Sequence, residues 1–266
     1  ADMDEVRRTP GLALDAMPGL NVGYLAMNGD HPPLDNPKVR LAIAHAINQP
    51  ALLKLVYKGM AAPAASLLPP GMWGHNPKVS NYAYDPALAK KLLRQAGLSG
   101  GLEVTLWATR TGRPYMPDPD KMASLIEENL AAVGIRARIV SHDWKTYLAK
   151  LYNGEHDLAL LGWVSTGDPS DILNHLLDAD NAQKPHASNI SFFRDQAVHE
   201  LLTQAERETN MNKRLELYAR AQERAHELAP LVPLAHANLM LARSAKALGI
   251  VNHQTGFVRF AKARLL

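Results

Sequence analysis

Asn21-Val22-Gly23-Tyr24-Leu25-Ala26-Met27-Asn28, followed after a short gap by Pro33-Leu34-Asp35-Asn36-Pro37-Lys38-Val39-Arg40-Leu41-Ala42-Ile43, decides how this chain is read. Residues 22–27 are a short apolar run closed by a polar asparagine, the pattern of a buried strand. Gly29 to Pro37 contains three prolines and reads as a turn. Asn36-Pro37 then opens a helix, with asparagine as the N-cap and proline at the first helical position. Val39, Ile43, Ala46 and Ile47 follow at helical spacing.

Working outward, strands and helices continue to alternate. A second helix runs from about Pro50 through Tyr57 and stops at Gly59. Residues 61–83 are loop-like, rich in proline and glycine. Asp85-Pro86 repeats the cap-and-proline start for a helix over 86–96, which turns Leu88, Leu92 and Leu93 inward. Glu103 to Ala108 alternates as a strand, 109–119 is a loop, and a helix runs on to Val133. Ile135, Ala137 and Ile139 share one strand face, with Arg136 and Arg138 on the other. A helix over 143–152, a strand over 157–161 and a loop from Gly162 to Pro169 come next. A short helix over 170–178 and two longer ones over 195–207 and 211–228 complete the helical part. The pattern predicts an α/β fold, a mixed sheet flanked by helices. Past Ala229-Pro230 the texture changes to strand-like segments over 231–240, 241–250 and 256–260, which would need partner strands from elsewhere.

Composition narrows the function classes. The 266 residues are 47% hydrophobic and 21% charged, enough for a core and too apolar for a disordered chain. The net charge is only +3 with no basic block, which argues against a nucleic-acid partner. There is no cysteine, so disulfides, thiolate metal sites and cysteine nucleophiles are excluded. No apolar run is long enough to span a bilayer, and no signal peptide is visible in the acidic start Ala1-Asp2-Met3-Asp4-Glu5.

No motif for a hydrolase elbow, zinc protease, phosphate loop or dinucleotide site is present. The 11 histidines are scattered without metal-ligand spacing, so neither a metal nor another cofactor is expected. Two loops stand out. Gly162-Trp163-Val164-Ser165-Thr166-Gly167-Asp168-Pro169 leaves a strand at its C-terminal end, where open α/β folds place ligands. It offers an indole, two hydroxyls and a carboxylate, though Asp168-Pro169 reads more readily as a helix cap and Trp163 can be core. Arg113, between Gly112 and Pro114-Tyr115, follows a strand as well; it reads as a carboxylate clamp or as a solvated loop arginine.

The opening segment resembles the dipeptide- and oligopeptide-binding proteins of ABC importers, the extracellular solute-binding proteins of family 5. The likeness continues through Ala46-Ile47-Asn48, Val56-Tyr57-Lys58-Gly59, Pro69-Pro70-Gly71-Met72-Trp73-Gly74 and Tyr84-Asp85-Pro86. It goes on through Leu106-Trp107-Ala108, Arg113-Pro114-Tyr115, Gly154-Glu155-His156, Gly162-Trp163 and Lys213-Arg214 to Tyr218 and Ala221-Gln222. These pieces fall in order over nearly the whole chain, and the dipeptide-binding branch is the most similar.

The resemblance implies a periplasmic-binding-protein-like lobe and a binding role rather than an enzyme. A hinge joins such a lobe to another, and a peptide is clamped between them. On that pattern residues 1–25 are a hinge or first-lobe segment, 26–230 the second lobe, and 231–266 the return to the hinge and first lobe. The implied partners are a peptide or other small solute and an ABC permease of the inner membrane. The implied location is periplasmic or lipid-anchored outside the cytoplasm, with the signal segment outside this chain. Glutathione, haem or nickel complexes on the same scaffold, and a ligand-sensing domain of a regulator, are the alternative roles. Arg113 matches the family's carboxylate-binding arginine. The family also holds the peptide ammonium with an aspartate soon after Gly-Trp; here the loop is shorter, and Ser165 or Thr166 stands at that place. Asp168 is its potential substitute. Trp163 and Tyr24 complete the candidate contacts. If the terminal strands lack partners, Leu231, Val232, Leu239 and Leu241 would be exposed and the lobe would self-associate.

Overall fold

A computed structural model describes residues 3–266 of the chain. A short helix α1 (Met3–Arg8) leads into two antiparallel-paired regions, β1 (Leu12–Pro18) and β2 (Asn21–Met27). Helix α2 (Pro37–Ala46) is followed by α3 (Gln49–Leu52), which loosens into a π turn over Leu53–Tyr57, and by the short strand β3 (Ala61–Pro63). Helix α4 (Pro86–Gln95) precedes the core alternation β4 (Leu102–Thr109), α5 (Pro119–Ala131), β5 (Ile135–His142), α6 (Trp144–Tyr152), β6 (Leu158–Val164), α7 (Pro169–Leu177). Helices α8 (Gln196–Arg207) and α9 (Met211–Leu228) then lead to the long strand β7 (Leu231–Ser244).

The seven strands form one mixed sheet in the order β1-β7-β2-β6-β4-β5, with β3 also on β7. β4 runs parallel to β5 and β6, whereas β2 runs antiparallel to β6 and β7. Period-2 alternation splits the central strands between two cores. Leu25, Met27, Leu158 and Leu160 face the layer of α2, α4 and α5. Val22, Tyr24, Ala26, Ala159 and Leu161 face α6 to α9. Strands covered on both faces are apolar throughout, which is why 22–27 reads as a continuous run. β5, at the sheet edge, keeps Arg136 and Arg138 in solvent as its alternation predicts.

Helix starts follow the cap-and-proline signature. The side chains of Asn36, Asp85, Asp118 and Asp168 accept backbone N–H bonds in the first turns of α2, α4, α5 and α7, each with a proline at the start.

Three expectations are corrected. Gly162 and Trp163 are not loop residues: β6 runs on to Val164 because Asn21, Val22 and Gly23 pair with Val164, Trp163 and Gly162. The terminal segment is a single strand through Ser244 rather than two, because β1 pairs with it from Leu12↔Ser244 to Pro18↔Asn238. Only two small ribbons follow, residues 247–248 with 264–265 and 251–252 with 258–259. β7 therefore finds its partners within this chain, and Leu231 and Val232 are core residues at 4% exposure each. The crossing from β2 to β1 is bridged by Asn21. Its buried side-chain amide donates to Ala237 O at 2.8 Å and accepts the Ala237 N–H at 2.9 Å, standing in for a backbone partner beside the β2 bulge.

Candidate functional site: the loop edge of the parallel strands

β4, β5 and β6 are parallel, so their C-terminal ends, Thr109, His142 and Val164, lie along one edge of the sheet. The loops leaving that edge carry four of the six residues singled out in the sequence, and the other two, Trp163 and Tyr24, lie on strands. Arg113 lies in the β4–α5 loop, and Ser165, Thr166 and Asp168 lie between β6 and α7. Trp163 is the penultimate residue of β6.

Arg113-Pro114-Tyr115-Met116 is a tight turn closed by two backbone bonds. The Arg113 N–H donates to Met116 O (2.8 Å) and the Met116 N–H to Arg113 O (2.9 Å). The turn is seated on glycine. Gly23 and Gly162 are register partners across β2 and β6, and the Tyr115 ring lies over Gly162 where a side chain would overlap it. Tyr57 secures the same turn by donating its hydroxyl to Tyr115 O at 2.8 Å. Burial pushes the Tyr115 phenol up to about 12, and the nearby Arg113 charge tempers that rise.

On this seat the Arg113 guanidinium lies over Trp144, its Cζ 3.5 Å from the ring centroid. Such stacking fixes the plane of the cation and is favourable by about 0.5–2 kcal/mol. Trp144 opens α6, which Asp143 caps by accepting the Thr146 N–H at 3.2 Å. Arg113 Nε is shielded from solvent and has no hydrogen-bond partner, and no ion pair involves this arginine among the described residues. Beside it opens a recess of about 700 Å³ whose walls include Tyr57, Pro114, Asn238 and Met240. The pocket lined by Leu173, Gln222 and Leu231 is far smaller, about 30 Å³.

The β6–α7 loop is organised by an acid the sequence reading missed, Asp171. Its carboxylate accepts the Thr166 N–H (2.7 Å), the Thr166 hydroxyl (3.1 Å) and the Trp163 indole N–H (3.3 Å). Burial pushes the Asp171 pKa up, but these donors and the Ser165 hydroxyl outweigh it and hold the group below the ordinary carboxylate value. Ser165 is itself buried; its N–H donates to Leu20 O at 2.7 Å and its hydroxyl accepts the Gly167 N–H at 3.0 Å. Thr166 is exposed, and Trp163 is half-buried with its ring stacked on His175. Asp168 caps α7 by accepting the Ser170 N–H (2.9 Å) and hydroxyl (2.7 Å), and it pairs with Arg214 at 3.3 Å. Arg214 in turn stacks on Trp73 and donates to the Tyr218 hydroxyl. Of the two readings of Asp168, the geometry carries the capping one.

Tyr24 is corrected as a contact. Even-numbered residues of β2 face the α6–α9 layer, so its side chain is fully buried beneath the edge, and its hydroxyl has no partner. Burial first, then the neighbouring Tyr115, Tyr147 and Tyr152, drive its pKa upward. Trp144 and Asp171 belong to the site although sequence reading passed over them. Their signals were weak: a tryptophan directly after the cap residue Asp143, and an acid five residues beyond Thr166.

The chain matches the family model described as bacterial extracellular solute-binding proteins, family 5 Middle, over residues 1–184. The dipeptide-binding protein of Escherichia coli (strain K12) is 40% identical over 240 residues, 90% of this chain and 44% of that protein. Heme-binding protein A of Haemophilus influenzae is 34% identical over 261 residues, 98% of this chain and 47% of the relative. The solved structure of the ABC transporter-associated periplasmic binding protein DppA from Helicobacter pylori, in complex with peptide STSA, superposes with a TM-score of 0.89 at 34% identity. That superposition covers 99% of this chain and 51% of the other. The chain thus spans about half the length of the curated relatives it matches.

Proposed function

Because this chain belongs to the bacterial extracellular solute-binding proteins, family 5, we propose that it forms one lobe of a peptide-binding component of an ABC import system, with Arg113 receiving the peptide carboxylate. The observation that carries this reading is the guanidinium pinned on Trp144 with no anion beside it. A carboxylate arriving there makes two parallel charge-assisted hydrogen bonds to a group whose orientation is already fixed, so little ordering entropy opposes it. Thr166 and the Trp163 edge line the same loop region and are the further contacts of this reading, with Ser165 shaping the loop from below.

The remainder of the binding cleft would come from the half of the family's length that this chain does not span, with a hinge closing the two lobes on the ligand. In this division residues 26–230 are the lobe, and β2 and β7 carry the chain into and out of it. The setting is periplasmic, the downstream partner is a permease, and the role is binding rather than catalysis, in keeping with the family. A second cargo, haem, is favoured by the likeness to heme-binding protein A. Glutathione and nickel complexes have no such specific support.

In the chain alone, Phe257, Phe260, Leu265 and Leu266 are 62–79% exposed, and β1 leaves one sheet edge open. This is the surface the remaining half would cover, and without it we propose that a second copy does so.

The test is calorimetric titration with dipeptides, oligopeptides, glutathione and haem, using Arg113→Ala as the control. Peptide binding that disappears in the variant supports the reading. Binding of haem alone, or peptide binding indifferent to Arg113, overturns the peptide-carboxylate assignment.

A further inference from the structure

We propose that Tyr57 is a positioning residue that couples the placement of Arg113 to β7, so that a displacement of that strand at Ala237-Asn238 is passed to the Arg113 turn. The inference deepens, and rests on, the reading of Arg113 as the carboxylate receptor and of β7 as the strand that carries the chain out of the lobe.

β7 changes partners at this point. Leu231 to Ala235 pair with β2, and Asn238 to Ser244 pair with β1. Between them, Ala235, His236 and Ala237 pair with Pro63, Ala62 and Ala61 of β3. Just before β3, Met60 O accepts the Asn238 N–H at 2.9 Å, and the Met60 N–H donates to Tyr57 O at 2.9 Å. Residues 57–60 are thus a turn fastened to β7 where its partners change. Lys58 and Gly59 hold φ of 50° and 83°, and a lysine keeps that left-handed conformation where its surroundings fix it.

The start of the same turn reaches the site. Tyr57 closes the π turn, its side chain is buried, and its hydroxyl donates to Tyr115 O at 2.8 Å. Among the described residues this is the one hydrogen bond that ties residues 113–116 to another part of the chain, since Arg113 and Met116 bond to each other. The recess beside Arg113 opens between its turn and Asn238 and Met240 of β7, so strand and turn are held apart there. Residues 57–60 span that gap with hydrogen bonds at both ends. A second route runs through β2, because Gly23 pairs with Ala235 and lies under Tyr115 O. That route crosses the bulge between Gly23 and Tyr24 and ends in packing against a glycine, whereas the Tyr57 bond is directional.

The experiment is a double-mutant cycle in the ligand-free 266-residue chain, read at the indole N–H resonance of Trp144, over which the Arg113 guanidinium lies. Asn21→Ala frees Ala237 of β7 from the Asn21 amide; Asn21→Asp keeps an acceptor for the Ala237 N–H and is the milder version should the first fail to fold. Tyr57→Phe removes the hydroxyl alone. The expected result is that the Asn21 substitution and Tyr57→Phe each shift the Trp144 resonance, and that the Asn21 substitution shifts it no further once the hydroxyl is gone. Ala-Ala should also bind Tyr57→Phe about three- to tenfold more weakly than wild type. A Trp144 resonance unmoved by Tyr57→Phe would overturn the inference. So would an Asn21 shift of equal size with and without the hydroxyl, which would assign the linkage to β2. A lower urea midpoint in Tyr57→Phe without the non-additive Trp144 shift would reduce Tyr57 to a structural role and overturn it as well. Peptide binding indifferent to Arg113→Ala would instead overturn the carboxylate reading, and the shifts, which need no ligand, would still decide the linkage.

Discussion

Tyr115 and Gly162 share one volume: the tyrosine ring lies where a side chain on the glycine would stand. The register partner of Gly162, Gly23, completes the seat, since a Cβ there would come within 2.8 Å of Tyr115 O. The Arg113 turn is thus positioned by two residues without side chains, on strands far apart in sequence. Gly162→Ala should destabilise the chain by about 1–3 kcal/mol through overpacking and lift the Arg113 turn from the sheet. Urea unfolding reads the first effect. The second appears as weaker carboxylate binding out of proportion to the lost stability.

Arg113→Lys keeps the charge but not the planar fork or the stack on Trp144. Carboxylate affinity should fall by about tenfold or more, with stability changing by less than ~1 kcal/mol, because the side chain has no ion-pair partner to lose. Paired calorimetric and thermal-melting measurements separate the two. Wild-type affinity in the lysine variant would mean that the guanidinium plane is irrelevant.

Tyr147 closes the gap between β4 and β6. Those strands pair only at Leu106↔Leu158 and Trp107↔Ala159, and the buried Tyr147 hydroxyl donates between Leu160 O (2.7 Å) and Trp107 O (3.1 Å). Tyr147→Phe should cost about 1–3 kcal/mol in chemical denaturation, since both carbonyls lose their shared donor. A neutral variant would show that the ladder itself holds the strands.

Stability should fall with acid between pH 6.5 and 4. Burial holds His156 and His236 down at about 4, each ring donating one N–H to a backbone carbonyl, of Ile190 and Asn21 respectively. His31, Asp157 and Lys184 surround the first and His75 the second. In that window the unfolded chain binds more protons than the folded one, so stability drops by up to ~1.4 kcal/mol per pH unit for each histidine. Below about 4 their contribution levels off. Asp157 and Asp171, whose folded pKa values are depressed, act in a lower window; their stabilisation is present above the unfolded value and is lost as pH falls through the folded one. Urea midpoints across this range should show a shallower slope in His236→Asn; an unchanged slope would remove His236 from the account.

Sedimentation of the chain alone should show concentration-dependent association through the face bearing Phe257, Phe260 and Leu265. Phe257→Ser with Phe260→Ser should return it to a monomer. A monodisperse wild-type monomer would reject the idea.

Much of this molecule was legible in one dimension. Caps followed by proline at 36–37, 85–86 and 168–169, apolar runs at 22–27 and 158–161, and the Arg136/Arg138 alternation are local signals, each set by backbone dihedrals and side-chain periodicity within a few residues. Family resemblance in the ordered motifs added the expectation of a binding role and favoured the carboxylate reading of Arg113, which its loop position had already singled out. Pairing between distant segments was not legible. That β7 runs unbroken to Ser244 depends on β1, more than 200 residues earlier, and that Gly162-Trp163-Val164 are strand depends on Asn21-Val22-Gly23. The same holds at the site. Sequence could name Asp168 but not tell a cap from a ligand contact, because that turns on Ser170 and Arg214; it could not find Asp171 or Trp144, because their roles exist only where loops from different strands meet. Local conformation is written residue by residue, whereas a carboxylate's partner or a guanidinium's platform is chosen by which strands lie side by side, and only the tertiary structure decides that.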